Sequence, residues 1–167
     1  MPRFFTTLIL IGLLSCQHTD ESRRKGKSDV DTSANLSDTT TAMIRFNAAD
    51  MPHIFDKNAS PATLTRQELI QIDSLLVLCA ADHNMAIGQN SPSMKIDLVG
   101  TLYKKQVVAV VNSRREKEVW VNCFCDDFSK PWRNEILSVS DGGSCYFSFK
   151  INLKSRKYYD FTVNGLA

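Results

Sequence analysis

Cys145-Tyr146-Phe147-Ser148-Phe149-Lys150-Ile151-Asn152-Leu153 alternates between two sets of side chains without a break. A period of two belongs to extended chain, because successive side chains leave opposite faces of the pleat. Cys145, Phe147, Phe149, Ile151 and Leu153 therefore share a face that must be buried, and Tyr146, Ser148, Lys150 and Asn152 share the other. Lys154-Ser155-Arg156 makes a polar turn, and Tyr158 to Val163 returns with Tyr159, Phe161 and Val163 expected inward. A sheet with one apolar face needs a second layer to cover it.

Upstream, Gln106 to Val111 and Val119 to Cys125 are β-branched runs joined by the polar Ser113-Arg114-Arg115-Glu116, which predicts a hairpin. Ile136 to Ser140 reads as a short strand closed by Asp141-Gly142-Gly143, and Ile44-Arg45-Phe46 as another before a turn at Met51-Pro52. The covering layer is one helix. Thr65-Arg66-Gln67-Glu68 fits a capping box, with Leu64 and Leu69 as the hydrophobic staple around it. Leu69, Ile72, Leu76, Cys79 and His83 then recur at spacings of three and four, flanked by Leu75 and Ala80, and Asn84, Gly88 and Pro92 end the run. The expected class is α+β, with one N-terminal helix packed across an antiparallel β-meander of four to six strands in a two-layer sandwich.

This order resembles that of cystatin-like and PepSY-like domains. The segment from Tyr146 to Phe161 is similar to the terminal hairpin of PepSY domains, with Arg156 where the PepSY turn usually has glycine. The resemblance implies binding or inhibitory roles rather than a particular chemistry.

The N-terminus carries an address. Met1-Pro2-Arg3 is a short cationic start and Phe4 to Leu14 an apolar run too short to span a bilayer, the pattern of a secretory signal. It ends in Leu13-Leu14-Ser15-Cys16, which resembles the lipobox of bacterial lipoproteins. The resemblance implies cleavage before Cys16, acylation of that cysteine and attachment to a membrane through acyl chains. Gln17, rather than aspartate, follows the cysteine, which favours delivery to the outer membrane. The chain therefore divides into a lipoprotein signal peptide at 1–15, a lipid-anchored tether at 16–42, polar and poor in apolar residues, and a single domain at 43–167.

Composition narrows the function. The 167 residues hold 20 Lys+Arg against 18 Asp+Glu, a formal net charge of +2, which does not give the concentrated basic footprint of a nucleic-acid-binding protein. Four cysteines remain after Cys16, namely Cys79, Cys123, Cys125 and Cys145, an even set in an oxidising compartment. Their periodicity points all four at one core. Cys123 and Cys125 sit two apart on one strand face, poorly placed to pair with each other, so cross-pairing is expected, with Cys79 bridging the helix to one of them and Cys145 bridging to the other. A single Cys-x-Cys lacks the paired knuckles of a zinc site, and mid-strand core thiols lack the exposure of redox-active ones. No metal and no cofactor are expected.

No spacing assembles a nucleophile with His83. Asp126-Asp127 reads as a solvated turn and Asp141-Gly142-Gly143 as a tight turn. The informative aromatics are Trp120 and Trp132. Trp120, Asn122 and Phe124 leave the strand opposite to Val119 and Val121, and with Trp132 and Arg133 from the following loop they form the expected surface for a protein, peptide or glycan, unless that loop and the N-terminal segment fold over the face. The sequence thus describes a lipid-anchored, non-enzymatic binding module of the cell envelope, an enzyme inhibitor being one form of it. Its rivals are an envelope hydrolase or thiol-redox enzyme built on His83, Asp126, Asp127 or the Cys-x-Cys pair, and a purely structural lipoprotein.

Overall fold

A computed structural model describes residues 39–89 and 91–166. The signal segment, Cys16 and all of the tether before residue 39 lie outside the described residues. Among the described residues the strands are β1 (Thr41–Met43), β2 (Ser60–Pro61), β3 (Lys104–Val111), β4 (Lys117–Phe124), β5 (Tyr146–Asn152) and β6 (Lys157–Val163), and the one α-helix is α1 (Arg66–Ile87). Short 3₁₀ turns occupy Pro92–Met94 and Gly143–Cys145.

The class is α+β, as expected, but the sheet is mixed. Strands β3, β4, β5 and β6 form the antiparallel meander, while β1 runs parallel to β3 at its far edge and β2 pairs antiparallel with the end of β3. Thr41 and Ala42, assigned from sequence to the tether, therefore belong to the sheet and are buried in it. Ile44 to Phe46 and Ile136 to Ser140 are not strands. Their apolar side chains pack down onto the sheet, and only the Ile44 N–H, donating to the Val107 carbonyl at 2.9 Å, carries the β1–β3 pairing a residue further.

α1 begins where the capping box places it. The Thr65 hydroxyl accepts from the Glu68 N–H at 3.3 Å and the Glu68 carboxylate accepts from the Thr65 N–H at 2.8 Å, so two otherwise orphaned donors are satisfied. Gly88, at φ 61°, closes the other end. Ile72, Leu75, Cys79 and Ala80 face Val107, Ala109, Val119, Val121, Cys123, Phe147, Phe149 and Ile151, which is the main core. Lys117 Nζ to Glu68 at 2.7 Å, and a second ion pair between Lys105 and Asp73, tie the helix to β4 and β3.

One parity changes along β6. The register with β5 shifts between Ser148 and Lys150, and Asp160 takes φ 49°, the signature of a bulge. The extra residue brings Tyr158, rather than the expected Tyr159, to the helix side with Phe161 and Val163. Tyr158 then donates to Asp82 of α1 at 2.6 Å. That hydrogen bond pushes the phenol up to about 12, with burial acting in the same direction.

The face away from α1 is covered too. Phe46, Met51 and Phe55 lie over Val108 and Val110, and Trp132 and Leu137 lie over Phe124, Ala42 and Tyr146. A strand buried on both faces reads as a continuous apolar run, which is why Val107-Val108-Ala109-Val110 shows no alternation.

Candidate functional site

The surface expected around Trp120 is closed by the chain itself. Phe124 is fully buried, Trp132 is buried against it with ring centroids 5.4 Å apart, and Trp120 is half-buried beneath the segment that carries Phe46 and Phe55. Asn122 donates to Gln106 Oε1 at 3.1 Å and to the Leu137 carbonyl at 2.8 Å. Arg133 stacks on Trp132 at 4.4 Å and donates to the carbonyls of Thr39 and Thr41. These residues hold the loop from 126 to 142 down on the sheet. Of the two arrangements the sequence allowed, the covering one is found, because the aromatic surface of both segments is larger than water will tolerate uncovered.

The cysteines divide into two pairs with different roles. Cys125 and Cys145 form a disulfide, so the expected bridge from Cys145 to the strand pair is made. Cys79 and Cys123 are free and buried, so the bridge expected from Cys79 is not. The four do not share one core, either. β4 ends at Phe124, which leaves Cys125 exposed, and Cys145 lies in a 3₁₀ turn where strand parity no longer applies, packed with the cluster around Trp132. The disulfide clamps the two ends of the covering loop. Burial pushes the Cys79 thiol up to about 12 and raises Cys123 further, so both are neutral thiols at physiological pH.

The remaining candidates are structural in their contacts. His83 Nε2 shares a hydrogen bond with the Met94 carbonyl at 2.9 Å, and its ring packs on Phe161. Asp126 and Asp127 accept from the N–H groups of Phe128 and Ser129, and Asp127 also pairs with Lys104, a contact that lowers its carboxyl. Among the described residues no group of three His, Cys, Asp or Glu is placed to hold a metal ion. No helix there is long and apolar enough to cross a membrane.

Among the described residues, the outer face of α1 is exposed along its length. At 3.6 residues per turn, Ile70, Ser74, Val77, Leu78, Ala81 and Met85 fall within about 100° of arc, opposite Ile72 and Cys79. Ile70 is 58%, Val77 60%, Leu78 48% and Met85 74% exposed. From Ser74 to Ile87 every exposed helix position is Ser, Val, Leu, Ala or Met, and none is charged. A helix apolar on both sides is normally enclosed on both sides. The stripe runs about 22 Å, from Ile70 to Met85. At its N-terminal end an open cleft of about 610 Å³ is lined by Thr65, Gln67, Ile70, Ser74 and, from the β5–β6 turn, Arg156. The signal was present in the sequence as a second set of helical spacings, 70, 74, 77, 81 and 85, running beside the inner one. The inner stripe alone accounts for the helix, so the outer one is visible only once the helix is seen lying on the sheet.

Comparison with protein-family models, with curated proteins and with solved structures found no match to this chain.

Proposed function

We propose that this chain is a lipoprotein of the cell envelope, held at the outer membrane through acyl chains on Cys16, whose domain is a non-enzymatic binding module that docks another protein through the outer face of α1. The observation that carries the reading is the contiguous, uncharged apolar stripe from Ile70 to Met85. Exposed contiguous apolar surface of this kind marks an interaction site in soluble domains. A protein partner fits better than a glycan, since the stripe offers neither aromatic platforms nor a row of hydrogen-bonding groups.

The cystatin-like and PepSY-like order of helix and meander supports the same class of function and belongs to the proposal. The rival enzyme reading loses support from the contacts of its own residues: His83 is engaged with Met94, and Cys79 and Cys123 are buried neutral thiols, which are poor nucleophiles. The test combines mass spectrometry with photo-crosslinking in the native envelope. The membrane-extracted protein should begin at an acylated Cys16, and a photoreactive residue at Val77 should give a discrete protein adduct that the same residue at exposed Lys154 does not. An unlipidated chain overturns the anchor, and no adduct at Val77 overturns the docking face.

A further inference from the structure

The geometry points to a second copy of this chain as the occupant of the outer face of α1, the two helices packed antiparallel about a two-fold axis; this rests on the docking face proposed above and names its partner. The apolar stripe is symmetric about its own midpoint, between Val77 and Leu78. Going outward from there, Val77 is matched by Leu78, Ser74 by Ala81, and Ile70 by Met85. An isologous contact requires this property, since residue i must meet j while j meets i. Laid antiparallel, the bulky pairs meet at the centre and at both ends, and the small pair Ser74 and Ala81 lets the backbones approach between them.

The polar groups agree. Ser74 donates its hydroxyl to its own helix, to the Ile70 carbonyl at 2.9 Å, so burying it strands no donor. Asp73 and Asp82 lie on opposite flanks, each about 90° from the midline of the stripe, and both are occupied, with Lys105 and with Tyr158 respectively. Neither places a charge in the seam. The last turn of α1 carries no basic residue to offset the negative end of the helix dipole. In the antiparallel pair the exposed Arg66 of each copy falls beside that last turn of the other, one helix supplying the cation that the other lacks.

A single helix pair buries less than the roughly 1,200 Å² of a standard stable interface, so association in free solution is weak. Copies that share one membrane surface meet at a much higher effective concentration. The experiment therefore uses the full-length protein in its own membrane, carrying Ser74→Cys together with Ala81→Cys, and oxidises it gently. An antiparallel pair links Cys at 74 of one copy to Cys at 81 of the other, giving a dimer whose digest contains that mixed peptide. Val77→Asp, at an exposed site that leaves the helix content unchanged by circular dichroism, should lower the crosslinked fraction at least tenfold.

A dimer linked only 74 to 74 overturns the antiparallel arrangement. A Val77 photo-adduct that contains a different protein overturns self-association while leaving the docking face standing. Photo-crosslinking of the stripe to lipid alone overturns both. So does the absence of any adduct or crosslink.

Discussion

Gln106 and Asn122 sit opposite each other in the β3–β4 register, and the Asn122 amide donates to Gln106 Oε1 at 3.1 Å. Around this pair the loop from 126 to 142 is fastened. The Gln106 amide donates to the carbonyls of Trp132 and Glu135, its Oε1 accepts from the Leu137 N–H at 3.0 Å, and Asn122 donates to the Leu137 carbonyl. Loops without regular structure must find partners for their backbone groups when buried, and two amide side chains with both donors and acceptors supply them.

Gln106→Leu should therefore cost about 3 kcal/mol in urea denaturation, since it leaves several buried backbone groups unsatisfied at once. Gln106→Glu should be nearly as damaging, because a carboxylate cannot donate to the two carbonyls. A loss below about 1 kcal/mol for both would mean that the loop is not held from this point.

The disulfide closes the same loop from its ends. With a sequence separation of 20 residues between Cys125 and Cys145, its removal should lower stability by about 3 kcal/mol through the added freedom of the unfolded chain. Comparing the Cys125→Ala, Cys145→Ala variant with the parent by thermal unfolding checks this, with helix content retained at low temperature because α1 packs on the other face.

Thiol labelling separates the two cysteine pairs. In a chain carrying Cys16→Ser, a disulfide reagent at pH 8 should find no reactive thiol in the native state and two, Cys79 and Cys123, after unfolding without reductant. Rapid labelling of Cys123 in the native protein would contradict its burial.

Stability should form a plateau bounded on both sides. Burial raises the Glu68 carboxyl, but its contacts with Lys117 and the Thr65 N–H and hydroxyl outweigh that and hold it below 4.5. Hydrogen bonds from Asn152 and Lys154 lower Glu116, and Lys104 lowers Asp127. A group with a depressed folded pKa contributes stability that is present above its unfolded value and lost as pH falls through the folded one, so stability should fall below about pH 4.5. Cys79, raised to about 12 from 9, acts in the opposite sense: its contribution is present below 9 and lost as pH rises from there. Urea midpoints from pH 2 to 11 test both limits.

Thr65→Ala should cost about 1 kcal/mol by removing the hydroxyl that receives the Glu68 N–H. Thr65→Ser, which keeps that oxygen, should stay within a few tenths of the parent by urea denaturation.

The start of α1 was legible because a capping box is local: four consecutive residues contain both halves of it. The hairpins β3–β4 and β5–β6 were legible for the same reason, since alternation in β5 and the polar turns within each hairpin are read within a dozen residues, whereas the pairing of β4 with β5 across the loop was not. The outer face of the sheet was not. Residues 44–59 and the loop from 126 to 142 have no period to announce what they cover, and Val108 and Val110 look alike whether their face is open or closed. The docking stripe on α1 lay in plain view as spacings, but whether an apolar residue on a helix is inside or outside depends on which side meets the sheet.

The sequence by itself determined the α+β class, the helix with its N-terminal cap, and the hairpins β3–β4 and β5–β6, all of which follow from interactions within short stretches of chain. Only the tertiary structure decided that β1 pairs parallel to β3 across some sixty intervening residues. It also decided that Cys125 rather than Cys123 reaches Cys145, that a bulge at Asp160 exchanges Tyr159 for Tyr158, and that Ile70, Val77, Leu78 and Met85 of α1 face outward. Those choices depend on register and on which surfaces of distant segments meet, and such surfaces exist only after the chain has closed on itself.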